Sequence, residues 1–153
     1  MNQNFLSNAS YKFVNKKFEG VEFFVATADL PTMDVDASPL ANRFSTIKFP
    51  GDKIVYSDLT LSFRVDSEMT NYILLSNWLK DLEKADHSNT PDLFSDSKLL
   101  VYNYANVHFL TFSFKDSFPT SLGGISFTVE NTEEEFVTTE ATFAFTEYTI
   151  ENV

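Results

Sequence analysis

The heptapeptide Leu59-Thr60-Leu61-Ser62-Phe63-Arg64-Val65 alternates without a fault, with apolar side chains at the odd positions and polar ones between them. Successive side chains of an extended chain point to opposite faces, so this stretch reads as a strand with one buried and one polar face. The same period recurs downstream. Leu110, Phe112 and Phe114 alternate with Thr111 and Ser113; Ile125, Phe127 and Val129 follow the Gly123-Gly124 pair; Ala141, Phe143 and Phe145 come near the end. Residues 21–30 and 99–104 are apolar at both parities, which predicts central strands covered on both faces. Pro31 ends the first of these, because it has no N–H to give a ladder.

Residues 70–84 break the rhythm. Tyr72, Leu75, Trp78, Leu79 and Leu82 fall at helical spacing, with no Gly or Pro among them. Ser67 or Thr70 is expected to cap the start, with Asp66 and Glu68 at the positive end of the helix dipole and Lys80 and Lys84 toward the negative end. A helix of this length is marginal alone in water, so it must dock on the sheets. Leu75, Trp78, Leu79 and Leu82 are the docking residues, each worth about 1.5–3 kcal/mol on burial. The fold class is mainly β, with one flanking α-helix at about 70–84.

The 153 residues suit a single domain over 1–153. Seventeen Phe, six Tyr and one Trp make an aromatic-rich chain of strand-favouring residues, and four Gly and five Pro argue against low complexity. With no internal repeat and no linker, nothing divides it. The absence of cysteine excludes disulfides, thiolate metal sites and a thiol nucleophile. Residues 1–10 are polar and lack the profile of a signal peptide, so the Asn8-Ala9-Ser10 sequon reads as chance. No apolar run approaches the roughly 20 residues that span a bilayer.

Two stretches read as loops. Residues 86–97 are polar and contain Pro91, whereas residues 32–50 hold two prolines and little clean alternation. Structureless loops beyond about 12–15 residues are uncommon in compact domains and tend to be functional. Leu40, Phe44, Ile47 and Phe49 within the long loop call for burial that a projecting loop cannot give them. A neighbouring subunit could, so these four are the candidate intersubunit contacts.

Nothing in the chain supports chemistry. The two histidines, His87 and His108, make no metal-ligand spacing, and neither a metal nor a cofactor is expected. The close carboxylate pairs Asp34/Asp36 and Asp92/Asp96 fall in the loops with nothing nearby to raise one pKa, and Glu133-Glu134-Glu135 reads as a solvated hairpin tip. Gly123-Gly124 precedes a strand and therefore reads as a turn, not a phosphate cradle. No catalytic residue is assigned and the chain is not expected to be an enzyme. The formal charge of −11, from 22 acidic against 11 basic residues, opposes nucleic-acid binding, which releases counterions through Lys and Arg. Solubility alone could account for that acidity. A carbohydrate-binding β-sandwich, stacking sugars on exposed aromatics, is the rival from another class, but alternation with polar neighbours places most of these Phe side chains in a core.

Several segments, in order, resemble the tail tube proteins of contractile-tailed phages. They are Ala28-Asp29-Leu30-Pro31 closing a strand before a long loop, and Phe49-Pro50-Gly51-Asp52-Lys53 leading to Tyr56-Ser57-Asp58-Leu59-Thr60-Leu61-Ser62-Phe63. Asn71-Tyr72 and Asn77-Trp78 sit where that family has its outward helix. Phe118-Pro119-Thr120-Ser121-Leu122 with Ile125-Ser126-Phe127 is similar to its late hairpin, and Ala141-Thr142-Phe143-Ala144-Phe145 to its last strand.

The resemblance implies a small β-barrel or sandwich, hexameric rings stacked into a tail tube, and a place in the virion tail after synthesis in the host cytoplasm. It implies further copies of this chain, tail sheath and baseplate or tail-completion proteins as partners. DNA would pass on ejection without specific binding, and no membrane is involved. A tube-initiating or terminating ring is the alternative position. A DNA conduit should not grip a polyanion, so acids are expected on the lumen, first among them Asp34, Asp36, Asp58 and Glu130.

Overall fold

The computed structural model describes residues 10–19, 22–41, 43–84, 93–129 and 136–153. In chain order the elements are β1 (Ser10–Asn15), β2 (Glu22–Asp29), β3 (Met33–Ala41), β4 (Thr46–Tyr56), β5 (Leu59–Arg64), α1 (Thr70–Lys84), β6 (Ser95–Tyr102), β7 (His108–Leu122), β8 (Thr138–Ala144) and β9 (Glu147–Asn152). Antiparallel pairing runs β6-β1-β2-β5-β8-β7, and β6 pairs with β7 again. The six strands therefore close on themselves as a barrel, the geometry that removes sheet edges. β7 is long because it serves three partners. Residues 110–115 pair with β9 and residues 118–122 with β8, while β6 runs along its other edge. Pro119 lies inside this strand at a register shift, where a missing N–H is tolerated.

The alternation of Leu59, Leu61 and Phe63 delivers all three to the barrel interior, joined by Phe13, Phe23, Leu99, Phe114 and Phe143. The Phe rings interlock edge to face: Phe23 meets Phe63 at 5.3 Å and 90°, and Phe13 at 5.9 Å and 68°. Such geometry sets the positive ring edge on the negative face. Near one end, Asn15 donates to Ser97 at 2.6 Å and accepts from Ser95 at 2.8 Å, and the Ser97 and Ser117 hydroxyls share a hydrogen bond. Among the described residues no buried side-chain polar atom lacks a partner. Met69, Asn106 and Asp116 adopt positive φ at turns or kinks.

Helix α1 occupies the bounds its spacing predicts and buries Asn71, Leu75 and Trp78, with Leu82 partly buried against the core and Leu79 half-buried. Its cap differs from expectation. Asp66 itself accepts from the Thr70 N–H at 2.7 Å and the Asn71 N–H at 3.3 Å, in place of Ser67 or Thr70. Asn71 donates back to the Arg64 carbonyl at 2.8 Å, tying the helix start to the end of β5. Losing an N-cap carboxylate costs about 1 kcal/mol. Asp66→Ala should lower the urea midpoint accordingly without altering its slope, as read by circular dichroism.

Four further expectations need correction. Residues 32–50 are not a loop: β3 and β4 form a two-stranded hairpin arm, in register from Leu40↔Ile47 to Met33↔Tyr56. Alternation is hidden there because both faces of the arm carry exposed apolar groups and the register shifts between Val35 and Ala37. Residues 125–129 form no strand, since the closed barrel leaves β8 without a free edge to pair, and Phe127 is exposed. β2 is central but covered on one face only: Phe23 and Val25 point in, whereas Phe24 points out. Within the supposed second loop, residues 95–97 already belong to β6.

Candidate assembly surface

The arm grows from a packed base. Thr32 donates its N–H to the Ser57 hydroxyl at 2.8 Å, and the Ser57 N–H donates to the Thr32 carbonyl at 3.1 Å. Tyr56 stacks 5.6 Å from Phe145 and 5.5 Å from Tyr148, whose hydroxyl donates to the Pro31 carbonyl at 3.3 Å. An aromatic cluster thus fixes where the hairpin leaves the barrel. At the register shift Gly51 lies against Asp36, and an added Cβ would collide with the Asp36 backbone carbonyl. Gly51→Ala must therefore displace one strand of the arm.

Beyond the base, the candidate contacts converge. Leu40 pairs with Ile47, Phe49 pairs with Ser38, and Phe44 stands at the turn with 89% of its surface exposed. Met33, Val35, Ile54 and Val55 add exposed apolar surface nearer the base. The residue types explain the exposure, because two strands alone have no layer on which to bury a face. Pro39 and Pro50 sit in paired positions. Lacking N–H groups, they blunt the arm's free edges against strand addition. The arm thus presents exposed apolar side chains on both of its faces.

The candidate lumen acids do not form one cluster. Asp34 and Asp36 lie exposed on the inner half of the arm, Asp34 accepting a 3.4 Å hydrogen bond from the Thr32 hydroxyl. Asp58 lies exposed beside the arm's base, just before β5. Glu130 is outside the described residues, as are His87, Asp92 and Glu133-Glu134-Glu135. The remaining polar candidates have structural work. Asp96 accepts from the Asp116 N–H at 3.2 Å, and His108 bonds the Thr111 hydroxyl at 2.7 Å through Nε2. No group of three potential metal ligands occurs among the described residues.

A second apolar surface escaped the sequence reading. At the start of β2, Phe24 faces outward beside Lys12, whose ammonium lies 3.1 Å from Glu22 and 5.6 Å from the Phe24 ring. The Glu22 hydrogen bond raises the Lys12 pKa above the usual lysine value, against an opposing desolvation. Phe24, Phe127 and Phe136 line an open groove of about 1080 Å³ with Met69, Val137 and Ile125, and Arg64 stacks over Phe136 at 4.6 Å. The alternation of 125–129 pointed to burial, so the sequence signal there was misleading.

A family model of phage tail tube proteins matches residues 2–151. No curated protein matches the sequence. Among solved structures, the chain is similar to one in the tube-terminating cap of the anti-feeding prophage, at 18% identity and a TM-score of 0.72, covering 100% of this chain and 95% of that one. A chain in the sheath–tube complex of an extracellular contractile injection system in its extended state aligns at 17% identity and a TM-score of 0.68, covering 94% and 88%. An Hcp protein aligns at 9% identity and a TM-score of 0.56, over 96% of this chain and all of that one.

Proposed function

We propose that this chain, which belongs to the phage tail tube protein family, works as a structural ring subunit, six copies closing a ring and rings stacking into a tube. The observation that carries this reading is the arm. It exposes apolar side chains on both faces and at its tip, and among the described residues no barrel surface covers them. Contacts between unlike surfaces close as rings or propagate as filaments, and an arm reaching from one copy to another is such a contact. The tube would be part of a phage tail or a related injection particle, with sheath and baseplate proteins around it, and would act by containment and not by catalysis.

Sedimentation of the purified protein over a concentration series, with negative-stain microscopy, tests this. Species far above 17.4 kDa that resolve as rings are expected. Tubes that lengthen with concentration mark the repeating subunit, whereas rings that stop at one layer mark an initiating or terminating ring. A strict monomer in the presence of partner tail proteins, combined with glycan binding, would support the carbohydrate-binding rival instead.

The acid excess gives the conduit its electrostatics: a wall poor in cations lets a polyanion slide. Asp34, Asp36 and Asp58 are the acids to test. Changing all three to Lys should leave tubes intact but slow DNA ejection, because the wall would then hold phosphates. Unchanged ejection would leave solubility as the account of the charge.

A further inference from the structure

Independently of the ring reading, we propose that the segment leading into β1 closes the mouth of its own barrel, with Phe5 as the plug and Leu6 on the rim. The barrel interior is filled unevenly. Phe13, Phe23, Phe63, Phe114 and Phe143 pack one part of it, but at the end where β2 closes a pocket of about 370 Å³ stays open. The buried Leu99, Val101 and Phe112 line it, with Tyr11, Ala28 and Leu110 around them. Left to water, an apolar mouth of this size would hold about a dozen molecules at ~30 Å³ each. Of its lining side chains only Tyr11 and Asp29 are polar, too few to hold that water in place. An apolar occupant suits it better.

Position names that occupant. β1 starts at Ser10, opposite Tyr102, and its second residue, Tyr11, already lines the pocket. The preceding chain therefore enters the fold at the mouth itself. β2 runs past that start: Tyr11 pairs with Val25, whereas Ala28 and Asp29 pair, among the described residues, with β5 alone. The close of β2 keeps a free edge on the β1 side, next to the pocket, and a few more residues before Ser10 would complete the ladder there. Continued backward, the β1 register sets Leu6 opposite Leu30, a rim residue 43% exposed, and gives Phe5 the inward parity of Tyr11 and Phe13. Phe5 stands five residues before Ser10, a reach of roughly 16 Å at about 3.3 Å per residue. Composition agrees. Residues 2–10 carry no charged side chain in a chain that is 22% charged, and Phe5 and Leu6 are their only large apolar groups.

The chain contains no cysteine, so introduced thiols report on this contact without background. In the full chain, Leu6→Cys with Leu30→Cys should form a disulfide under a mild oxidant as the main product, because directly paired strand residues meet the distance a disulfide needs. Leu6→Cys with Ile73→Cys, on α1 at the opposite end of the barrel, should give at most a few per cent of that yield. The link should lie within one chain, so the non-reducing gel keeps the band at 17.4 kDa. Phe5→Ser should lower the melting temperature by several degrees. In a Leu110→Ala background, whose pocket is already hollowed, the same change should cost less than half as much. Equal losses in the two backgrounds, or no loss in either, would place Phe5 outside the mouth and overturn the assignment. A link formed between chains in preference to within one would also overturn it, and would leave the ring reading standing. Should the protein prove a strict monomer, the ring reading fails, yet the link within the chain is still expected.

Discussion

Replacing Leu40, Phe44 and Ile47 together with serine should abolish assembly and leave the barrel's thermal unfolding unchanged. The three side chains are exposed in the isolated subunit, Phe44 almost completely, so their removal takes no contact from the barrel core. At an interface the balance is different. An apolar anchor that fills a pocket is worth about 2 kcal/mol or more, and each 1.4 kcal/mol weakens a contact about tenfold. A ring must form several such contacts at once, so the loss is multiplied across the assembly. Sedimentation at the highest attainable concentration should find only the monomer, with its melting temperature within a degree or two of wild type. Phe44→Ser alone should show the same direction with residual assembly. A variant that unfolds would mean the arm belongs to the fold, and the docking role would be lost.

The arm also shows where sequence periodicity runs out. Alternation works when one face of a strand is buried and the other is wet, and β5 meets that condition with Leu59, Leu61 and Phe63 inside. β3 and β4 do not: Val35 and Ile54 face solvent, as do Asp34 and Lys53, so polarity carries no face information. Two prolines reinforced the impression of a loop, yet a free hairpin has outward edges that accept them. β9 was missed for a related reason, since Glu147, Thr149 and Glu151 alternate with Tyr148 and Ile150 on an outer strand that buries little. Residues 125–129 failed in the opposite way. Their pattern is strand-like, but a closed barrel offers them no edge, which is a property of topology that local sequence does not encode.

The aromatic count divides along the same line. Phe13, Phe23, Phe63, Phe112, Phe114 and Phe143 are buried, whereas Phe24, Phe44, Phe49, Phe127 and Phe136 are exposed. Phe63, Phe112 and Phe114 alternate with polar neighbours on paired strands, whereas the buried Phe23 stands next to the exposed Phe24, so residue type alone does not sort the rings. Sequence identified the intersubunit candidates on the arm because they stood in a segment with no evident partner. It could not find the groove, whose walls come from β2, the residues after β5 and two segments near 127 and 136 that only the fold brings together.

Trp78→Ala should be the most damaging single change to the fold, with a loss of about 3–5 kcal/mol. Trp78 is 1% exposed and heads the fully buried side chains by volume. Its ring meets Phe18 edge-on at 5.5 Å and 82°, lies 6.4 Å from Phe143 of β8, and carries the Lys17 ammonium at 5.3 Å. The indole N–H donates to the Leu93 carbonyl at 3.3 Å, so the helix is pinned to the chain leading into β6. Alanine would leave a cavity between helix and barrel and strip that carbonyl of its donor. Domains of this size are stable by about 5–15 kcal/mol, so roughly a fifth or more of the total would go. For a chain of this length the melting temperature should fall by roughly 10 °C. Trp78→Phe separates the two contributions, keeping much of the volume but not the hydrogen bond, and should cost clearly less than Trp78→Ala. Equal losses in the two variants would assign the effect to the Leu93 contact instead of to packing. A fall of under 1 kcal/mol for Trp78→Ala would show that α1 is an ornament on a barrel stable without it.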